Sequence, residues 1–282
     1  VESIRVNAKY GKIVKSRLFL GNVVLDIGDE NEERSDWVVY SEVNQFDVRP
    51  VSNAIQFPDR EGGQITGLSE LFGRLIVFKA QAIFVLDLAN PMTPSTWTRK
   101  ETKINIGNIA PEGIVEVHDS VYFVHHDGIY KLDANTTASS DATPSLMEKI
   151  TLGIEDQFLL ADSKRSVKGV YDQKNNEILY TWDVSNAQVV WAYNIVIKTW
   201  RKVDTTANMD ILAFAENSGP LTWDETDKDL KKFDVAEAVG TAWKSKRFPL
   251  DLDRKRLIRY GMVKFTGTDT LTVNVYLDGA GS

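Results

Sequence analysis

A recurring group of short apolar runs, separated by turn residues, constrains the fold of this 282-residue chain more than any other feature. In Glu112–Asp133, three such runs (Ile114–Val117, Val121–Val124 and Ile129–Leu132) are separated by Asp, His and Gly. Val, Ile, Tyr and Phe favour strands, and the Asp127-Gly128 pair suits a tight turn. We therefore predict a three-stranded antiparallel meander, which needs neighbours of its own kind to bury one face.

Comparable groups recur at Gln64–Leu88, Ser166–Asp204 and Ile211–Phe233, with a partial copy at Arg17–Tyr40. Four-stranded units recurring every ~40–50 residues indicate a β-propeller, and a long β-sandwich is the alternative. The copies share the order apolar strand, turn, aromatic-rich strand, turn and a strand ending in Asp, which favours the propeller. We predict an all-β fold, a β-propeller of about five four-stranded blades over residues 1–238.

The segment Asp141–Ser163 departs from the strand pattern and predicts a helical insertion. Thr143 can cap a helix, and Pro144 suits its first position. An apolar stripe follows at a spacing of four residues, formed by Leu146, Ile150, Ile154 and Phe158. Gly153 interrupts this stripe, so the pattern fits either one helix or two short ones.

An acidic segment, Asp26–Asp36, lies between predicted strands at Arg17–Leu20 and Trp37–Tyr40. We interpret it as a solvated loop. A divalent-cation site is the alternative, but the segment lacks the Asp-x-Asp-x-Asp-Gly spacing of a calcium loop. The following Ser41–Gly63 shows no periodicity and is predicted to be an extended connection with turns.

Residues 239–282 break the repeat and are predicted to form a C-terminal β-strand module or the closing blade. Strands are expected at Val239–Phe248, Tyr260–Thr266 and Leu271–Leu277. Basic residues at the end of the first strand and in the segment before the second are candidates for contact with another subunit or with DNA: Lys246, Arg247, Arg254, Lys255, Arg256 and Arg259. Because Asp251 and Asp253 alternate with them, an acidic face of a neighbouring subunit is the favoured partner.

No strong catalytic motif is present, and we assign no catalytic, cofactor-binding or metal-binding residue. His125 and His126 are adjacent, so their side chains are expected on opposite faces of a strand, while His118 could approach one of them across the hairpin. A metal site there would need further ligands, and turn histidines are the alternative. The seven tryptophans indicate packing between blades, with a sugar-stacking platform as the alternative.

Charge and composition exclude several classes of function. The net charge of -7 argues against general nucleic-acid affinity, which needs a basic surface. Without cysteine, disulfide and thiolate chemistry are excluded. No apolar run approaches the ~20 residues of a membrane span. Because the chain starts at Val1 without a signal-peptide pattern and ends just after a strand pattern, we expect a fragment or trimmed product of a longer polypeptide, with tag remnants or missing ends as the alternative.

Several phrases, among them GRLIVFKAQAIFVLDL, APEGIVEVHDSVYFVHHDGIYKLD and GVYDQKNNEILYTW, resemble structural proteins of tailed bacteriophages. Over roughly Gly63 to Gly279, the chain is similar to β-propeller tail components such as nozzle, hub and DNA-stabilisation proteins. The resemblance implies a non-enzymatic virion component, assembled in the bacterial host cytoplasm, that forms a ring or tube around the DNA exit path. The partners that the resemblance implies are copies of the protein itself, neighbouring tail proteins, and DNA that passes through a channel without sequence specificity. It implies no membrane partner. A carbohydrate-binding or glycoside-cleaving propeller is the alternative.

Overall fold

A computed structural model describes residues 5–27, 30–50, 52–58, 63–101, 105–133, 147–203, 209–215, 219–224, 229–232 and 242–244. Beyond Val203, the description covers the backbone of four strands. Contacts divide the chain into two units, Val1–Lys246 and Arg247–Ser282, and every described residue belongs to the first.

The described residues form five antiparallel sheets that follow one another along the chain. The first sheet contains β1 (Arg5–Val14), β2 (Arg17–Ile27), β3 (Glu30–Tyr40) and β4 (Ala54–Gln56). The second contains β5 (Ile65–Leu71), β6 (Arg74–Lys79), β7 (Ile83–Asp87) and β8 (Thr98–Glu101). The third contains β9 (Val115–Val117), β10 (Ser120–His125), β11 (Gly128–Asp133) and β12 (Met147–Lys149).

The fourth sheet contains β13 (Lys168–Asp172), β14 (Glu177–Val184), β15 (Ala187–Asn194) and β16 (Thr199–Val203). The fifth has three strands, β17 (Met209–Ala215), β18 (Gly219–Asp224) and β19 (Asp229–Lys232). A last strand, β20 (Ala242–Lys244), pairs with β16 and so adds a fifth strand to the fourth sheet. The described α-helix is short, α1 (Glu155–Leu159).

Each sheet is a meander, because its first strands pair in the order in which they occur in the chain. The first strands also bring successive sheets together: β1 lies beside β5, β9 beside β13, and β13 beside β17. Consecutive meanders that meet through their first strands are the blades of a β-propeller. The predicted all-β propeller of about five blades is therefore confirmed.

Apolar faces of adjacent sheets pack on one another and form the core. Phe57, which directly follows β4, contacts Phe84 of the second sheet, with ring centroids 5.5 Å apart. Phe78 and Phe123 join the second and third sheets at 5.2 Å. The largest cluster lies between the third and fourth sheets and includes Tyr122, Phe158, Tyr180, Trp182, Trp191, Tyr193 and Trp200. The tryptophans of the fourth sheet therefore pack between blades, as predicted.

The connection between the second and third sheets is fixed by Asn108, which is fully buried. Its backbone N–H donates to the carbonyl of Lys79 at 2.8 Å, and its carbonyl accepts a hydrogen bond from the Thr66 hydroxyl at 2.7 Å. Its side-chain oxygen accepts from the backbone N–H of Val124 at 3.1 Å, and its side-chain nitrogen donates to Ala110 at 2.9 Å. One residue thus satisfies backbone groups of two blades that would otherwise be buried without partners.

The predicted helical insertion is mostly wrong. Met147–Lys149 pairs with β11 as the fourth strand of the third sheet, and the backbone N–H of Ile150 continues this ladder to the carbonyl of Ile129. Helix begins only at Glu155 and lasts five residues. The physical reason is that Gly153 has φ +104, which no α-helix contains. Residues 134–146, with the expected cap at Thr143, lie outside the described residues.

The predicted acidic loop in the first sheet is also wrong over most of its length. Glu30–Asp36 belongs to β3, whose register pairs Glu33 with Val24. Charged side chains are tolerated there because none of the described residues 31–36 is buried and the Arg34 guanidinium pairs with the Glu32 carboxylate. The connection predicted at Ser41–Gly63 is confirmed as irregular over its described residues, apart from the three residues of β4.

Candidate functional site

A groove with a volume of about 250 Å³ lies between the outer strands of the third and fourth sheets. One wall is formed by β12 and the connection that follows it, and the other by the end of β15 and the start of β16. The lining residues are Glu148, Lys149, Ile150, Leu152, Gly153, Ile154, Tyr193, Ile197, Lys198, Thr199 and Trp200. We call this feature the interblade groove.

Two aromatic side chains form the inner surface of the interblade groove. The rings of Tyr193 and Trp200 lie 5.0 Å apart, and each residue is only 3% exposed. The indole N–H of Trp200 donates to the carbonyl of Ile150 at 2.5 Å, which ties the two walls together. Burial, followed by the nearby Glu148 carboxylate, raises the pKa of Tyr193 well above its usual value. The inner surface is therefore uncharged at neutral pH.

Ion pairs occupy the rim of the groove. Lys198 donates to both carboxylate oxygens of Glu148 at 3.0 Å, and Lys149 contacts Glu155 at 2.7 Å. These pairs are partly exposed, so each contributes little to folding stability. Their effect is to balance the charges beside the groove, which leaves its apolar residues to determine what it can bind.

The mouth of the groove exposes large apolar side chains. Leu152 is 60% exposed and Ile197 is 57% exposed. Nine large hydrophobic residues are exposed in the described part of the chain, and two of them, Leu152 and Ile197, line the groove, while Leu159, Leu160 and Val196 lie nearby in the chain. Scattered exposed apolar residues are normal, but apolar residues at the mouth of a cleft make this groove a candidate interaction site.

The groove is held by hydrogen bonds at the far end of its first wall. The carboxylate of Asp162 accepts the backbone N–H groups of Ser185 and Asn186 at 2.9 and 2.8 Å. Both turn residues have positive φ, as a tight hairpin turn requires. These two hydrogen bonds lower the pKa of Asp162. The connection that carries Leu152 is thus fastened to the fourth sheet.

A second polar cluster lies on the first strands of three blades. Glu116 on β9 accepts hydrogen bonds from the Ser69 hydroxyl at 2.7 Å and the Glu70 N–H at 3.0 Å. Its other oxygen pairs with Lys12 on β1 at 2.6 Å. Both carboxylate oxygens thus have partners, and Glu116 links three consecutive sheets. The arrangement suits a structural link better than a proton-transferring acid or base.

The three histidines are divided between the two ends of β10. At one end, the His118 imidazole lies 3.1 Å from the hydroxyl of Tyr171. At the other, Nδ1 of His125 lies 3.0 Å from the carbonyl of Gly107, and the ring of His126 is 5.4 Å from that of His125. Since β10 separates them, His118 does not approach the pair, so the approach across the hairpin that the sequence allowed does not occur. Within the described residues, no group of three His, Asp or Glu side chains could hold a metal ion.

We expect His125 to make folding stability depend on pH. Burial lowers its pKa from the usual 6.5, against the opposing effects of the Gly107 carbonyl and Asp127. The native state therefore binds fewer protons than the unfolded state, so this stability is present above pH 6.5 and is lost as the pH falls through the lowered pKa.

Urea denaturation of the wild type at pH 7.5 and 5.5 should give a smaller free energy of unfolding at the lower pH. His125→Gln should reduce this difference, whereas His126→Gln, a change at an exposed neighbour, should retain it. An unchanged difference in His125→Gln would contradict the assignment.

The remaining residues singled out from the sequence are tryptophans outside the fourth sheet and the basic residues near the end of the chain. Trp97 and Trp37 are partly buried, and the guanidinium groups of Arg17 and Arg34 lie over their rings at 5.5 and 4.8 Å. The side chains of Trp223 and Trp243 lie outside the described residues, as do those of the six basic contact candidates, Lys246, Arg247, Arg254, Lys255, Arg256 and Arg259. Their role in subunit or DNA contact stays a prediction. None of the described helices is both long and apolar enough to span a bilayer.

Sequence reasoning missed the interblade groove. The sequence pattern indicates only a turn at Ile197-Lys198, and Leu152 lies between two residues of the expected helical stripe, Ile150 and Ile154, without belonging to it. A usable signal was present, because Ile195, Val196 and Ile197 place three β-branched apolar residues in succession at a hairpin turn, where Gly, Asn and Asp are usual.

The sequence matches no protein-family model and no curated protein. Among solved structures, the chain is similar to PorZ, a bacterial surface component of the type-IX secretion system of Porphyromonas gingivalis (14% identity, TM-score 0.43, 88% of this chain and 27% of that chain). It is also similar to the extracellular domain of a putative one-component system from B. thetaiotaomicron (12% identity, TM-score 0.43, 79% of this chain and 27% of that chain). A third similar structure is a GH43 glycoside hydrolase, with 12% identity and a TM-score of 0.31; the match covers 78% of this chain and 50% of that chain. The chain thus spans 27% of the length of each of the first two structures.

Proposed function

We propose that this protein is a non-enzymatic structural subunit that acts by binding other protein subunits, including copies of itself, through the interblade groove. The observation that carries this proposal is the exposure of Leu152 and Ile197 at the mouth of a groove whose inner surface is apolar and uncharged. Covering such side chains with another protein removes apolar area from water at about 25 cal/mol per Å².

The resemblance to tail components of bacteriophages supplies the proposed setting. A ring or tube of such subunits around the DNA exit path would be a virion structure assembled in the host cytoplasm. The net charge of -7 agrees with a conduit, because an acidic lumen repels DNA and lets it slide. DNA is then expected not to be retained tightly even at low salt, and tight, salt-sensitive retention would count against an acidic conduit.

The groove supports protein binding better than sugar binding. A carbohydrate platform presents an open aromatic face, whereas Trp200 and Tyr193 are each 3% exposed. The accessible surface instead combines aliphatic side chains with the Glu148–Lys198 ion pair, and protein interfaces likewise have an apolar centre and a polar rim.

Substitution at the mouth of the groove tests the proposal. The double variant Leu152→Asp, Ile197→Asp places two carboxylates in the surface to be buried, and we expect it to lose self-association. The measurement is the weight-average mass by sedimentation over a concentration series. Met92→Asp is the control, since Met92 is 68% exposed in the turn between β7 and β8 and does not line the groove.

The wild type and the Met92→Asp variant should show the same oligomeric mass, while the groove variant should be at least ten-fold weaker, as ~1.4 kcal/mol of lost binding energy implies. Unchanged association of the groove variant, with its fold intact by circular dichroism, would overturn the proposed role of the groove.

A further inference from the structure

The two-residue turn between β5 and β6 holds an aromatic side chain where the backbone disfavours one. Leu71 pairs with Arg74, and the residues between them, Phe72 and Gly73, have φ +51 and +69. A turn with two positive φ values favours Asn, Asp or Gly, and a bulky residue with positive φ is an outlier. Phe72 is also 63% exposed, so its ring gains little from packing within the chain. Neither the backbone conformation nor the core accounts for a phenylalanine here, and such an outlier points to a function.

Contacts with the neighbouring β1–β2 hairpin hold this turn in place. The side chain of Lys15 lies against Gly73, since a β-carbon added to Gly73 would come within 2.6 Å of Lys15 Cε. The Lys15 ammonium donates to the carbonyl of Leu88 at 2.7 Å, and the N–H of Gly73 donates to the Glu70 carboxylate at 2.5 Å. The first and second sheets together thus fix the backbone that presents Phe72 to solvent. A side chain on a fixed backbone loses less conformational freedom when a partner binds it.

The interblade groove has the size and the surface to receive this ring. Its volume is about 250 Å³, and an apolar cavity of about 150 Å³ is large enough to hold benzene. Leu152 and Ile197 line its mouth, and the rings of Tyr193 and Trp200 form its inner surface. Aromatic side chains pack favourably against one another in stacked or edge-to-face arrangements. A phenylalanine ring therefore matches the groove in volume and in chemistry.

The charges beside the two surfaces are compatible with this contact. Glu70 and Arg74 lie two residues to either side of Phe72. The rim of the groove carries two carboxylates and two ammonium groups, joined in ion pairs. Each surface thus has charges of both signs, and neither has the excess of one sign that would oppose association.

We propose that Phe72 of one copy inserts into the interblade groove of a neighbouring copy. This inference rests on the proposed function and specifies the segment that the groove receives. Phe72 is exposed in its own chain and lies in the second blade, whereas the groove lies between the third and the fourth. Each copy therefore donates at one surface and receives at another. Head-to-tail contacts of this kind generate rings when the rotation between copies closes.

Phe72→Asn tests the insertion without straining the turn. Asn suits a residue with positive φ, so the variant should keep its fold and its stability in urea. Self-association should weaken about ten-fold or more, since burial of a Phe side chain contributes more than the ~1.4 kcal/mol that this factor requires. Sedimentation equilibrium over a concentration series measures the effect. The matched control is Phe46→Asn, which removes a ring that is 40% exposed outside this turn and should associate like the wild type.

A mixture of two variants tests the direction of the contact. Phe72→Asn keeps an intact groove, and the double variant Leu152→Asp, Ile197→Asp keeps an intact Phe72. Neither should associate alone. An equimolar mixture should form a complex of one copy of each, with twice the mass of the 31.7 kDa chain and no larger species.

The outcomes separate this inference from the proposed function. If Phe72→Asn associates as strongly as the wild type while the groove variant does not, insertion of Phe72 is overturned and the proposed function stands. Loss of association in both variants, with no complex in their mixture, would overturn the head-to-tail contact. A wild type that is monomeric at every concentration would overturn both the inference and the proposed function.

Discussion

Gly107→Ala is expected to destabilise the protein more than any other single methyl addition in the connection between the second and third sheets. A β-carbon at this position would collide with the carbonyl oxygen of Lys79 and lie 2.8 Å from the backbone nitrogen of Ala82 and 2.9 Å from the carbonyl carbon of Ala80. These are backbone atoms of a tight turn, so they cannot rotate away as a side chain would. We expect a loss of about 3 kcal/mol or more in the free energy of unfolding, or failure to fold.

Urea denaturation followed by circular dichroism measures this effect. Gly11→Ala is the matched control, because the atom nearest to its added β-carbon is the flexible Leu20 side chain at 3.4 Å. That variant should remain within about 1 kcal/mol of the wild type. A Gly107→Ala protein as stable as the control would show that the connection can be rebuilt, and that the described contact between Gly107 and Lys79 is not essential.

Phe158→Ala is the second change with a large expected effect. Phe158 is fully buried, and its ring meets that of Trp182 edge to face at a centroid distance of 5.6 Å. Removal of a buried aromatic side chain costs about 3–5 kcal/mol, because both the transfer energy and the contacts of the cavity wall are lost. The midpoint of urea unfolding should fall accordingly.

Leu159→Ala provides the control one residue away on the same short helix. Leu159 is 55% exposed, so its truncation should change the free energy of unfolding by no more than about 0.5 kcal/mol. Equal effects at the two positions would mean that α1 does not pack into the core between the third and fourth sheets.

The strand content of the protein was predictable from the sequence because strand and turn residues alternate with a clear period. Lys174-Asn175-Asn176 and Ser185-Asn186 mark hairpins of the fourth sheet, and both occur as turns with positive φ at Asn176, Ser185 and Asn186. Gly73, in the turn between β5 and β6, likewise has a positive φ of +69. The residue types within such a turn determine its conformation, so the turn can be predicted from a few neighbouring residues.

The fourth strand of the third sheet was not predictable in the same way. Ile150, Ile154 and Phe158 do share one core, as their spacing suggested, but one follows a strand and the other two belong to a turn and a short helix. Periodicity reports which residues are buried together, and it does not distinguish a helix from a folded connection that presents the same side chains. Tertiary pairing with β11 decided the outcome.

The interblade groove and the edge pairing of β20 depend on contacts between residues about 40–50 positions apart, such as Glu148 with Lys198 and Lys202 with Ala242. No local signal in the sequence specifies these pairs, because each residue would be equally acceptable on an isolated blade. The exposure of Leu152 likewise arises from how two sheets meet. The sequence can predict the blades, whereas the surfaces between them require the structure.

The central claim is that this protein works as a self-associating structural subunit. The most direct test is the native mass of the purified wild-type protein, measured by native mass spectrometry at several concentrations. The account predicts a discrete oligomer whose mass is an integral multiple of the 31.7 kDa chain. A strict monomer at every concentration would contradict it.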